Sequence, residues 1–506
     1  MKKLLSQSCV RNVPWLLCGL AVSMVVCEVQ AQADPGAGAA PSGVAAPTAA
    51  EPVTAQPPAV APAAEPAALP PQSAPAAAEP APAAPTLPAE VASPAAASPP
   101  ALASEASSAT IVRDPQSPVQ EAAPETEDLS VDVAAMEFKP GKGLHVQSVD
   151  GDFALTTRTR AQFLYEMTHG EEWQQDLQIR RARLQFEGNF FGENNKFKVE
   201  LAVSPRDIGM RTGRAPQTSP LLDYYIDFTH LRDLSMRVGQ YKVPFNRQRV
   251  VSSGDLRFVD RSIVNGEFNL DRDLGFDLRS KDLFGLGMLR YYAGVYVGEG
   301  RNTLREADFG LMYLARLEFL PLGDFKDYKE GDLERTPKPK LSVGLGYGHL
   351  DRAPHENGIL GAEFEAGSVS LHMLTADAVF RLAGFSLETE FIYRSGESDG
   401  VIDGIRVPAR EGWGLMGQVG YLLPNTDLEV AARVGVVRAT RDDGFAISDD
   451  VGLMADENEY GAAVSYYFGG HPFKLQLDYF RIGERAAGAS AYEWEDRVRL
   501  QMQAGL

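Results

Sequence analysis

Two pairs of arginines, Arg158 with Arg160 and Arg181 with Arg183, stand two residues apart in stretches where apolar and polar residues alternate. In an extended strand successive side chains point to opposite faces, so each pair shares one face. A guanidinium presents its donors in a rigid fork that matches oxyanions, so arginines in series can replace the water an oxyanion sheds. Several moderate sites in a row also release an ion better than one tight site, which conduction requires. A second concentration of charge follows a strand-like segment that ends at Pro244: the loop after it carries Arg247, Arg249, Arg257 and Arg261 against Asp255 and Asp260. Lys242 stands just before that loop, and Gly239 weakens the local alternation enough to leave its facing open. Arg158, Arg160, Arg181, Arg183 and Lys242 are therefore candidates for the wall of an anion path. The four loop arginines are candidates for its constriction.

Other chemistry is poorly represented. Asp399, Asp403, Asp442, Asp443, Asp449 and Asp450 cluster in polar segments without EF-hand spacing. The seven histidines are scattered, with no H-E-x-x-H arrangement, and neither a G-x-S-x-G elbow nor a phosphate-cradling glycine loop occurs. The reading is a protein that is not an enzyme and carries no catalytic residues, cofactor or metal. The formal charge is −20, and residues 1–139 hold 5 basic and 14 acidic side chains, leaving 43 and 54 for the remainder. A body with net charge −11 argues against nucleic acid as a partner. Any preference for anions must come from where the basic residues sit.

The elements that would position them are strands. From residue 152 onward the apolar pattern has a period of two. Phe153, Leu155, Thr157, Thr159, Ala161, Phe163 and Tyr165 take one face, opposite Arg158, Arg160, Gln162 and Glu166; Ala182, Leu184 and Phe186 stand opposite Arg181, Arg183 and Gln185. Tight links at 192–195, 230–233, 382–384, 424–426 and 469–472 alternate with long polar segments at 204–220, 244–272, 349–368, 394–411, 438–457 and 481–495. Short turns on one side and long loops on the other describe an outer-membrane barrel rather than a soluble sandwich. The connection 321–340 is long where a short one is expected. Counting segments of about ten residues predicts an all-β fold, a transmembrane antiparallel β-barrel of about 16 strands. Its last strand alternates Val498, Leu500, Met502, Ala504 and Leu506 with Arg497, Arg499, Gln501 and Gln503. A charge facing lipid costs about 2–4 kcal/mol at mid-depth, so the four strand arginines are expected to face the lumen.

The N-terminal portion is different. Lys2, Lys3 and Arg11, an apolar run to Val26 and Ala31-Gln32-Ala33 describe a signal peptide over residues 1–33. All three cysteines fall inside it. Residues 34–135 contain 21 of the 34 prolines among alanines, a composition that prevents helix and sheet and favours an extended chain. Residues 34–139 are thus predicted as a disordered Ala/Pro-rich linker, with peptidoglycan as its candidate partner, and 140–506 as the barrel domain.

Several segments resemble the phosphate-selective porin O and P family. They are IRRARL from Ile179 leading to Phe186-Glu187-Gly188, RVGQYKVPF from Arg237, DLGFDL from Asp273, GYLL from Gly420, and YYFGGHPFKLQLDY from Tyr466. The resemblance implies a 16-stranded, commonly trimeric barrel in the bacterial outer membrane, surrounded by lipid, whose lumen arginines and lysines pass small anions such as phosphate. By analogy with general porins, the loop 244–272 is expected to fold into the lumen. Two other functions stay open on sequence: a structural or non-selective barrel tethered to the wall by the linker, and an outer-membrane hydrolase, for which no nucleophile–base set is marked.

Overall fold

The computed structural model describes residues 132–208, 219–303, 310–361, 363–364, 367–398, 401–402, 405–406, 409–440 and 454–506. An N-terminal hairpin, β1 (Val133–Lys139) and β2 (Gly143–Ser148), comes first. It is followed by β3 (Ala154–His169), β4 (Trp173–Asn189), β5 (Asn195–Ala202), β6 (Leu221–Phe228), β7 (Ser235–Lys242) and β8 (Arg272–Ser280). Next are β9 (Leu289–Tyr296), β10 (Met312–Phe319), β11 (Lys340–Ala353), β12 (Val369–Leu382) and β13 (Phe385–Ser398). Two short paired strands, β14 (Val401–Ile402) and β15 (Ile405–Arg406), precede β16 (Gly412–Leu422), β17 (Leu428–Ala439), β18 (Asp456–Tyr467), β19 (Phe473–Arg485) and β20 (Glu493–Gly505).

Each barrel strand pairs antiparallel with the next, β13 with β16 across the short pair. β20 then returns to β3 from Asp496↔His169 to Gly505↔Arg160. Setting aside β1, β2, β14 and β15, sixteen strands form a closed barrel, as the alternation predicted. Closure leaves no barrel edge with unpaired backbone groups, which is the condition for crossing lipid as a sheet. The facing is inverted relative to a soluble protein. In β10, Arg316 and Glu318 are each 1% exposed while Leu317 is 63% exposed. An apolar exterior around a charged interior places the protein in a membrane.

Connections also alternate. Links at 190–194, 383–384, 423–427 and 468–472 are short; those at 243–271, 354–368 and 440–455 lie at the opposite end and are long. The first link at that end, 170–172, is short, and 320–339 is the long one at the short-turn end. Among the described residues the first strand starts at Val133, so β1 takes the last seven residues of the segment expected as linker. The expected signal peptide and linker residues 34–131 lie outside the described residues, as do Asp399, Asp403, Asp442, Asp443, Asp449 and Asp450.

An apolar core lies inside the barrel, on one side of the lumen. Phe245, Val264, Phe268 and Leu270 from the 243–271 loop pack on inward-facing Met373, Ile392 and Met416. Glycines on the wall make room for it. A Cβ on Gly414 would stand 2.7 Å from Val264, and one on Gly346 3.1 Å from the Phe245 carbonyl oxygen. The wall is therefore shaped to receive the loop.

Candidate functional site

The loop enters the lumen because its sequence cannot continue β7. Pro244 has no N–H for the ladder, and the chain turns inward there. A helical turn at Arg247–Val250 follows, and then the helix Ile263–Phe268, whose first turn is capped by the Ser262 hydroxyl accepting from Asn265 N–H at 3.2 Å. Phe245, Arg257, Phe258 and Val259 have no exposed surface. The loop crosses the whole lumen. On one side Arg247 donates to Asp377 of β12 at 2.5 Å and to Asp327 at 2.7 Å, and Gln248 N–H donates to Glu390 of β13 at 2.9 Å. Further on, Arg257 donates to Glu388 of β13 at 3.2 Å, and Val259 N–H donates to Asp478 of β19 at 2.9 Å. At the far wall Gln162 of β3 and Gln503 of β20 donate to the carbonyls of Ser253 (3.1 Å) and Gly254 (3.0 Å).

The long 320–339 connection enters from the other end and meets this loop. Glu330 N–H donates to the Asp255 carbonyl at 3.0 Å, and the Glu330 carboxylate accepts from Arg257 N–H at 2.8 Å. His471, in the 468–472 turn, meets the Glu330 carbonyl at 3.0 Å. Burial, with Lys474 and Lys329 nearby, pushes this imidazole well below its ordinary pKa. Two inserts, one from each end, thus narrow the passage between them.

The nine cations singled out in sequence are all inside the barrel, in three different situations. Arg247 and Arg257 are bound up in buried ion pairs: Arg247 is 5% exposed beside Asp377 at 1%, and Arg257 is fully buried beside Glu388 and Glu429. They hold the loop to the wall. Arg158, Arg181, Arg183 and Arg249 have carboxylate partners but border open space. Arg158 pairs with Glu187, Arg181 with Asp260, Arg183 with Glu200 and Asp207, and Arg249 with Asp271. Arg160, Lys242 and Arg261 have no carboxylate within the 4.0 Å ion-pair limit among the described residues. All three converge on one stretch of the loop. Arg160 donates to the hydroxyls of Ser252 (3.0 Å) and Ser253 (3.1 Å), Lys242 to the carbonyl of Val251 (3.0 Å), and Arg261 to those of Gln248 (2.8 Å) and Val251 (2.6 Å). The facing of Lys242, open on sequence, is inward.

Strict alternation overlooked Arg180. Between Ile179 and Arg181 the β3–β4 register shifts: Gln162 opposes Arg181 and Phe163 opposes Ile179, so Arg180 is an extra residue. Such a bulge lets two consecutive side chains serve one face. Arg180 and Arg181 both reach Asp260, and Arg499 stands 3.5 Å from the same carboxylate. Burial would raise the Asp260 carboxyl, but these three guanidiniums more than offset it and hold the group well below the usual carboxylate range. Burial, with Arg249 and Arg181 alongside, pushes the Arg261 guanidinium well below its ordinary value. Arg433 and Arg499 were also missed. Each lies over the Phe480 ring, at 4.5 and 5.1 Å, and each is held by a carboxylate, Glu459 and Asp478 respectively.

Open space lies on both sides of the loop along this sector. One cavity of about 300 Å³ is bordered by Arg180, Arg181, Arg249, Arg261, Arg433, Arg497 and Arg499, with Asp260 and Glu459 as its acidic members. A second, of about 160 Å³, lies nearer the short-turn end and is bordered by Arg158, Arg160, Arg183, Lys329, Glu200 and Asp255. Gln162, with no exposed surface, separates them: it accepts from Arg181 at 2.9 Å and donates to the Gln503 side chain at 2.6 Å.

A closed sixteen-stranded barrel with an apolar exterior, a charged lumen and an inserted third loop defines a porin of the bacterial outer membrane. More narrowly, residues 153–504 match the model of the family described as phosphate-selective porin O and P, and the chain belongs to that family. Among curated proteins it is similar to an uncharacterized protein of Aquifex aeolicus (strain VF5), 26% identical over 207 residues, covering 36% of this chain and 50% of the relative. This chain thus matches about half the length of that relative. Solved structures give slighter likenesses. Vibrio cholerae OmpT in its trimer form has 12% identity and a TM-score of 0.43, covering 70% of this chain and 99% of that one. Pseudomonas putida OprB has 12% identity and 0.45, covering 71% and 95%. The outer-membrane channel DcaP of Acinetobacter baumannii has 11% identity and 0.45, covering 71% and 99%.

Proposed function

We propose that this porin passes small anions, phosphate or a similar oxyanion, through the sector of the lumen between β3, β4, β20 and the inserted loop. One observation carries the reading: Arg160, Lys242 and Arg261 converge there without carboxylate partners among the described residues, beside two cavities lined by further arginines. Loop carbonyls and hydroxyls orient these cations but leave their charge uncompensated. A partly desolvated charge favours a mobile counter-ion, and arginines on both sides of Gln162 provide successive stations for it. On the opposite side Arg247 and Arg257 are neutralised, so the field is local and can oppose the acidic balance of the body.

Planar-bilayer recording across a KCl gradient tests this. The expected reversal potential reports greater permeability to Cl⁻ than to K⁺, and added phosphate lowers the Cl⁻ current. Permeability to K⁺ equal to or above that to Cl⁻ would sink the anion reading and leave the barrel intact.

Family membership supports a homotrimer, and the N-terminal composition supports a cleaved signal followed by a spacer reaching peptidoglycan. Deleting residues 34–131 is expected to leave both conductance and the trimer band on unheated gels unchanged. Co-sedimentation with peptidoglycan should be lost. Loss of conductance on that deletion would favour a spacer that belongs to the pore.

A further inference from the structure

The larger cavity has a wall of two kinds. Its donors are guanidiniums, but Ile263, Phe480 and Ile482 also border it. The last two interrupt an inner face of β19 that otherwise reads Lys474, Gln476, Asp478 and Glu484. Phe480 is fully buried and packs edge-on against Phe258 of the loop at 5.4 Å, so it is a built part of the site. Ile482 follows on the same face, half-buried, and Ile263 opens the loop helix.

We propose that this cavity takes organic anions, a carboxylate or sulfonate carrying a hydrocarbon body, in preference to inorganic phosphate. The proposal rests on the anion reading above and names the substrate class for it. Phosphate carries oxygens in every direction, so an oxygen turned toward Ile263 or Ile482 loses water without gaining a donor. An anion with its oxygens at one end meets the guanidiniums there and lays its hydrocarbon on the apolar wall, displacing water held by nothing polar. The cavity keeps surplus positive charge for the anionic end. Arg180 and Arg181 share the single carboxylate Asp260, and Arg261 has only carbonyl partners among the described residues.

Alkyl sulfonates test the idea, because they stay ionised and do not enter the bilayer as neutral acids. Ethane-, butane- and hexanesulfonate, with phosphate alongside, are titrated against the Cl⁻ current of the full-length porin. Each fully buried methylene is worth about fourfold, so partial burial of four methylenes is expected to lower the half-blocking concentration at least tenfold from ethane- to hexanesulfonate. Phosphate should block less well than hexanesulfonate. Ile482→Asn and Ile263→Ser are expected to flatten the chain-length dependence while the reversal potential stays anion-selective. An anion-selective pore with no chain-length dependence, or one whose dependence survives both substitutions, overturns the proposal and leaves the anion reading standing. A cation-selective reversal potential overturns both.

Discussion

Replacing Arg247 by Met is expected to cost about 3–5 kcal/mol of stability and to give a larger, noisier single-channel current. The side chain is 5% exposed and donates to Asp377 at 2.5 Å, Asp327 at 2.7 Å and the Ser342 hydroxyl at 3.0 Å, with Glu318 at 3.6 Å. Its removal leaves three carboxylates that are 0–3% exposed to share Arg290 and Arg316, so the buried cluster keeps one negative charge without a counterpart, and that penalty exceeds the value of any one bond. The same substitution frees the start of the loop and the 320–339 insert, which Arg247 ties together through Asp327. The temperature at which the folded band disappears on gels should fall, and current fluctuations should rise. Adding Asp377→Asn to Arg247→Met is expected to recover part of the loss. A variant with wild-type thermal behaviour and quiet conductance would show that the loop is held mainly by its apolar contacts.

Reversing Arg180 and Arg181 to Glu is expected to shift ion preference more than any other pair of changes. Two reversals alter the local charge by four units, and each unit acts on an ion about 8 Å away with roughly 0.5 kcal/mol in water. With Asp260→Asn in the same variant three units remain, about 1.5 kcal/mol against Cl⁻ and as much in favour of K⁺, which corresponds to roughly a hundredfold in relative permeability at low salt and to little change at 1 M, where the Debye length falls to about 3 Å. Asp260 would then face two further carboxylates, so Asp260→Asn belongs in the same variant to keep the loop seated. Reversal potentials at two salt concentrations read the effect directly. An unchanged ratio would place the ion path away from β4.

The Arg180 result shows where reading a sequence by period two succeeds and where it stops. Alternation put Arg158, Arg160, Arg181 and Arg183 on the polar face, and the structure has all four inside the barrel, because a charge turned to lipid is costly in a strand. It said nothing of Arg180, because one bulged residue leaves no trace in composition. The RVGQYKVPF segment was similar. Its motif identified the family, but Gly239 obscured the facing of Lys242. There φ is +133° and a Cβ would meet the Tyr224 carbonyl at 2.2 Å.

The sequence by itself determined the barrel, its strand number, its alternating connections and its family, since each follows from local rules: side-chain period, turn composition and the cost of wetting or drying a face. Only the tertiary structure decided what the charges do. Arg247, Arg249, Arg257 and Arg261 look equivalent along the chain, spaced over 15 residues of one basic loop. Two of them meet buried carboxylates from strands more than a hundred residues away, one pairs with Asp271 nearby, and one caps carbonyls. Coulomb energy depends on distance in space and on the surrounding dielectric, neither of which sequence spacing encodes. Whether a given arginine ties down a loop or faces an ion is therefore settled by the carboxylate that the fold brings to it.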